Sequence, residues 1–117
     1  MHFSTGYNLL SRTTAHCVEE DSNSTQTVPS ARLDHVLEHV ATKVSMIKID
    51  VEGGEMSVLQ GGIERIRRDH PILAVCVYHR NEDILEIPLW LHELVPDYRF
   101  YLRQHSTQGT DVVLYVV

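Results

Sequence analysis

Basic residues are scarce in this chain: 10 Lys and Arg stand against 16 Asp and Glu over 117 residues, a formal net charge of −6. A protein that neutralises phosphates needs a surplus of basic groups, so nucleic-acid binding is excluded as a primary role. Arg65, Arg67 and Arg68 are the exception, and near a helix end they complement its dipole. Cysteine is equally sparse. Cys17 and Cys76 lie far apart, no disulfide framework is implied, and the expectation is a reducing, cytoplasmic compartment. Cys76 sits in an apolar run and reads as a small buried hydrophobe. No apolar stretch approaches the roughly 20 residues of a membrane span. Met1-His2-Phe3-Ser4 lacks the charged and apolar regions of a signal peptide. Internal repeats and long low-complexity tracts are missing too. Hydrophobic content of 43% and charged content of 22% are those of an ordinary globular protein, and the length fits a single small domain.

The first thirty residues are rich in Ser, Thr, Asn and Asp and form an irregular segment, with short extended pieces at 3–10, 16–19 and 25–28. Residue 31 opens a regular order. Ser30 caps a helix from Ala31 to about Thr42, with Leu33, Val36, Leu37 and Val40 on one face. Val44 to Val51 is a continuous apolar strand. A helix runs from Gly54 to about Asp69, with Val58, Leu59, Ile63 and Ile66 inward and Gly61-Gly62 as a weak point or close-packing site. His70-Pro71 stops it. Ile72 to His79 is a second apolar strand. Asn81 to Asp83 cap the next helix, whose first turn holds Pro88 and which ends near Val95, Trp90 facing the core. Pro96-Asp97 is a turn. Tyr98 to Arg103 alternates and is half-buried; Ser106 to Thr110 is a hairpin loop. Val112 to Val117 is apolar on both faces and belongs in the sheet interior.

This order is α/β: parallel strands joined through helices, then a terminal antiparallel hairpin. The burial pattern places the last strand beside Ile72–His79 and leaves the alternating strand at the edge.

The chemistry-bearing residues gather where strands end. Asp50, Glu52 and Glu55 surround Gly53-Gly54 as Val44–Val51 emerges, and open α/β sheets take ligands at that carboxyl edge. There Asp50 and Glu52 orient an acceptor or cofactor, or bind a divalent cation through oxygen; the spacing alone assigns no metal. Gly53 supplies an unusual backbone angle. Glu55 is assigned to the helix N-terminus, worth roughly 0.3–1 kcal/mol. His79 ends the second strand. Neighbouring strands lie about 4.8 Å apart, which brings His79 to the edge that holds Asp50 and makes it a candidate general base. Tyr78 and Asn81 are further candidates to line the same pocket, but packing for Tyr78 and helix capping for Asn81 are the preferred readings. His35 and His39 stand four apart beside Glu38, but no third ligand accompanies them and they read as surface residues.

Residue by residue, the chain resembles the FkbM family of S-adenosylmethionine-dependent methyltransferases. The resemblance rests on Leu33-Asp34, on Ile47-Lys48-Ile49-Asp50-Val51-Glu52-Gly53-Gly54-Glu55, and on Val58-Leu59-Gln60-Gly61-Gly62. Tyr78-His79 and Tyr98-Arg99-Phe100-Tyr101-Leu102-Arg103 continue it. It is clear from about residue 31 to 117. It implies the C-terminal half of a class I, Rossmann-like methyltransferase sheet and S-adenosylmethionine as cofactor. It also implies methyl transfer to a hydroxyl of a sugar or small metabolite, with Asp50 or His79 as base. The glycine-rich cofactor loop of such enzymes has no counterpart among Gly6, Gly53, Gly54, Gly61, Gly62 and Gly109, so the expectation is a truncated domain. The alternative is a non-catalytic module that dimerises, or complements a partner chain, through an exposed Val44–Val51 edge.

Overall fold

The structure, a computed structural model, describes residues 2–6, 13–18, 26–108 and 110–117. Strands β1 (His2–Gly6), β2 (Thr13–Val18) and β3 (Gln26–Ser30) form an antiparallel meander in the order β1-β2-β3. The segment expected to be irregular is therefore paired strand over much of its length. The rest of the expected piece at 3–10 lies outside the described residues.

A second sheet has the order β4-β5-β7-β6, from β4 (Met46–Ile49), β5 (Ile72–Cys76), β6 (Phe100–Gln104) and β7 (Val112–Val116). β4 and β5 are parallel, with Ile49 opposite Val75. β7 runs antiparallel to both β5 and β6. This is the expected mixed sheet, with the last strand inside and the alternating strand at the edge. Burial explains the order. Residues 73–77 are buried without a break, so both faces of β5 are covered, whereas Tyr101 and Leu102 of β6 are 41% and 46% exposed.

Two helices connect β4 to β5 where one was expected: α2 (Glu55–Gly61) and α3 (Ile63–Asp69). The break is Gly62, where an added Cβ would lie 2.9 Å from the Leu33 side chain, so the Gly61-Gly62 pair both weakens the helix and admits a close neighbour. Gly62 has no side chain to cap α3. Asp34 does so from outside, its two oxygens accepting the N–H groups of Glu64 and Arg65 at 3.0 and 2.9 Å.

The helix expected over residues 31–42 is only one turn, α1 (Leu33–Val36). Ser30 closes β3 and Arg32 takes the N-cap position. Val36 and Val40 are 62% and 37% exposed, so that apolar stripe lacks the packing that would extend it. Residues 37–42 are held instead by the buried Arg65, whose guanidinium donates to the carbonyls of Leu37, Val40 and Thr42. Arg65 is a clamp inside the fold, not a surface complement to a helix dipole. Its partner Asp69 accepts from Arg68 at 2.7 Å and from Val44 N–H at 2.8 Å, and those bonds, the one from Arg68 foremost, hold its carboxyl well below the usual range.

α4 (Asp83–Leu94) begins five residues before Pro88, so the proline lies inside the helix rather than in its first turn. Its N-cap is Glu82, without a side-chain capping bond; the capping expected of Asn81 does not form. Ile87 and Leu91 are fully buried against Leu59, Ile66, Leu73, Val75 and Val116, and Trp90 packs on this core. Burial of each large side chain contributes about 1.5–3 kcal/mol. Tyr98 closes one end, donating from its hydroxyl to the Pro71 carbonyl at 2.8 Å, and burial pushes its phenol up to about 12. Cys76 is buried as expected, its thiol pushed up to about 11 by desolvation. No helix among the described residues is long and apolar enough to cross a membrane.

Candidate functional site at the carboxyl ends of β4 and β5

Because β4 and β5 are parallel neighbours, their carboxyl ends point the same way, and the residues after each strand meet. After β4 the chain makes a tight turn closed by Gly54 N–H to the Val51 carbonyl at 3.1 Å. Both central residues have positive φ, 54° at Glu52 and 94° at Gly53. Gly53 was expected to adopt such an angle. Glu52 was not: a side chain in the left-handed region costs about 1 kcal/mol or more, and turns of this kind select Asn or Gly there. The turn presents Asp50 and Glu52 outward, 39% and 54% exposed, and delivers the chain into α2.

His79 lies across from them. Its Nε2 is 3.4 Å from Glu52 Oε2 and 3.7 Å from Asp50 Oδ1, while the ring is 10% exposed. The Tyr78 ring tilts against the imidazole at 4.1 Å between centroids, and burial raises the Tyr78 phenol. Asp50, Glu52, Gly53, Tyr78 and His79 are thus brought to one edge. Asn81 is exposed in the turn leading to α4.

The residue that sequence reasoning misassigned is Glu55. It does stand at the start of α2, but it is fully buried. Its Oε1 accepts from Val51 N–H at 3.2 Å and lies 2.7 Å from His79 Nδ1. A carboxylate at that position accepts, so Nδ1 carries a hydrogen and Nε2 is turned toward Asp50 and Glu52. Oε2 of Glu55 is buried with no partner. A signal for this existed in the spacing: Glu55, Leu59, Gly62 and Ile66 fall at i, i+4, i+7 and i+11, and all four are buried. Behind Glu55 lies Asp83, 1% exposed, its carboxyl pushed up first by burial and further by the charge of Glu55.

The pair His35 and His39 is different in kind. His35 and His39 both contact Glu38, at 3.0 and 3.4 Å, but their side chains are 60% and 93% exposed; His35 lies in the single turn of α1 and His39 in the turn that follows it.

Comparison with known proteins agrees with this arrangement. The methyltransferase FkbM domain family matches residues 3–101. The crystal structure of methyltransferase FkbM from Methylobacillus flagellatus KT superposes with a TM-score of 0.72 at 30% identity, over 89% of this chain. The chain spans 25% of the length of that protein. No curated protein matches. With most of its length inside the family match and the sheet order the family resemblance implies, the chain belongs to the FkbM methyltransferase domain family.

Proposed function

We propose that the site serves S-adenosylmethionine-dependent methylation of a hydroxyl on a sugar or small metabolite. The observation that supports this most is the Glu55–His79 pair at 2.7 Å, which fixes the imidazole with its Nε2 at the carboxyl edge of a parallel strand pair. The cofactor supplies an electrophilic methyl group. Asp50, Glu52 and His79 form the acceptor side of the reaction, and none of the site residues described forms a glycine-rich cradle for an adenosine. The chain's own contribution is to hold the acceptor hydroxyl at this edge and to receive its proton on the Asp50–His79 pair as the oxygen attacks. Positioning carries most of such a rate enhancement, and a well-placed base adds about 10²–10⁴-fold.

Titration calorimetry of the folded chain with S-adenosylhomocysteine is the direct test. Saturable binding, followed by transfer of labelled methyl groups to a hydroxylated saccharide that Asp50→Ala abolishes, supports the reading. A folded sample that does not bind removes it for this chain.

A second reading has one observation in its favour. Among the described residues β4 pairs only with β5, so its other side is an open edge, flanked by Met46 at 55% exposure. Open edges recruit strands, from a second copy or a complementing chain. Sedimentation velocity across a concentration series distinguishes this, since Met46→Lys suppresses edge association.

A further inference from the structure

The geometry points to a divalent-cation site formed by Asp50, Glu52 and His79, with Glu55 as the residue that positions the imidazole to ligate. One donor atom from each of the three residues lies within 4.8 Å of the others. The distances are close to those a bound ion imposes. Ligand atoms about 2.1 Å from a tetrahedral or octahedral ion stand about 3.0–3.4 Å from one another. Nε2 is already 3.4 Å from Glu52 Oε2 and 3.7 Å from Asp50 Oδ1, and the three donor atoms, all within 4.8 Å of one another, close on an ion by rotation of the two carboxylates. The two carboxylates are half exposed and free to make that adjustment.

The histidine is prepared in the way ligating histidines are. A metal-bound imidazole almost always gives its other N–H to a carboxylate or carbonyl, which fixes the tautomer and raises ligand basicity. Glu55 accepts that bond from a fully buried position.

Charge supplies an independent argument. The ion pairs that Asp50, Glu52 and Glu55 make among the described residues all end on His79. Even a protonated ring sets one positive charge against three carboxylates. Glu55, moreover, keeps one oxygen buried without a partner. Buried carboxylates are costly unless compensated, and a divalent ion at the edge supplies what the protein does not.

One nitrogen and two carboxylate oxygens suit a first-row divalent ion such as Mn²⁺, and three ligands leave open positions for acceptor oxygens. The inference rests on the methyl-transfer reading only for the use of those positions. With the ion on Nε2 and on one oxygen of Asp50, the other Asp50 oxygen takes the hydroxyl proton as the C–O bond forms and the methyl–sulfur bond breaks to release the thioether, and an ion there would take over the share of His79 by polarising the hydroxyl oxygen.

Mn²⁺ alone is the probe, followed on the whole chain by loss of the electron paramagnetic resonance signal of free aqueous Mn²⁺. A single saturable site is expected. Asp50→Asn and Glu52→Gln, both at exposed positions that leave the fold intact by circular dichroism, each weaken it at least about tenfold. Glu55→Gln weakens it about 10–100-fold. In Glu55→Ala, which leaves no acceptor for Nδ1, the imidazole ¹⁵N shifts of His79 lose their Nδ1–H preference, which a merely structural role for Glu55 would not produce. His39→Ala leaves binding unchanged. Absence of saturable binding in a folded sample overturns the site, as does binding that survives both carboxylate substitutions or disappears with His39→Ala. Calorimetry with S-adenosylhomocysteine on the same sample separates the two claims: Mn²⁺ binding without cofactor binding keeps the site and removes methyl transfer, and the converse removes the site alone.

Discussion

His79 and Glu55 are 24 residues apart in the chain and 2.7 Å apart in the fold. One follows the second parallel strand and the other opens the helix after the first, so the bond exists only when β4 and β5 are paired in register. Removing the carboxylate has two separable effects. Glu55→Ala strips Val51 N–H and His79 Nδ1 of their acceptor in the interior and is expected to cost about 1–3 kcal/mol. Glu55→Gln keeps the volume and one acceptor oxygen and should stay within about 1 kcal/mol of wild type. Urea denaturation of both variants measures the difference; equal losses would show that the hydrogen bonds contribute nothing.

Glu52 holds a backbone angle better suited to glycine, at φ 54°. Glu52→Gly is therefore expected to raise stability by about 1 kcal/mol while removing one carboxylate from the site. A rise in urea midpoint together with lost function at this edge would mark the turn as strained for a purpose. A fall in the midpoint would mean that the Glu52 side chain stabilises the turn by more than the strain costs.

Two buried acids give stability opposite pH dependences. The bonds from Arg68, and then from Val44, hold the Asp69 carboxyl below its ordinary range, so its stabilising share is fully present above about pH 4 and is lost as pH falls further. Burial raises the Asp83 carboxyl, so the folded state holds its proton longer than the unfolded one. Its penalty is therefore absent below about pH 4 and grows as pH rises. In thermal melts across pH 3–8, Asp69→Asn should lose part of the acid-side slope. Asp83→Asn should gain on wild type as pH increases. A difference between Asp83→Asn and wild type that does not change with pH would exclude a desolvated Asp83.

Arg65 carries the loop at residues 37–42 almost alone, through three carbonyls and Asp69. Arg65→Ala strips the Leu37, Val40 and Thr42 carbonyls of their buried donor, while Asp69 keeps Arg68 and Val44, and is expected to cost about 1–3 kcal/mol. Hydrogen exchange localises the effect. The amide of Val40, bonded to the Leu37 carbonyl at 2.9 Å, should exchange faster in a conservative Arg65→Lys variant even where the sheet amides keep their protection.

The sheet was legible because its strands differ in how they hide. The unbroken apolar runs at Ile72–His79 and Val112–Val117 marked interior strands, and the alternation at Tyr98–Arg103 marked an edge; the order β4-β5-β7-β6 follows from those patterns alone. Asp50 and His79 were placed on one edge by strand spacing, and their atoms are 3.7 Å apart. The failures have a common cause. Leu33, Val36, Leu37 and Val40 have helical spacing, but spacing does not reveal whether a partner surface exists, and Val36 and Val40 find none deep enough. The roles of Arg65 and Glu55 depend on contacts 23–28 and 24 residues away, which no local window contains. Asp34, likewise, caps a helix 30 residues downstream. Charged residues inside the fold were read as surface because composition gives that default, and only their register with buried neighbours argues otherwise.

β7 is made after β5 and β6 yet lies between them. During vectorial synthesis the inner side of β5 stays unpaired while α4 and β6 emerge, because nothing earlier in the chain occupies the place that β7 will fill. Leu73 and Val75, fully buried in the finished molecule, await that closing strand. The sheet is completed from its middle, and the interval before completion is when this protein has most need of protection against pairing with the wrong strand.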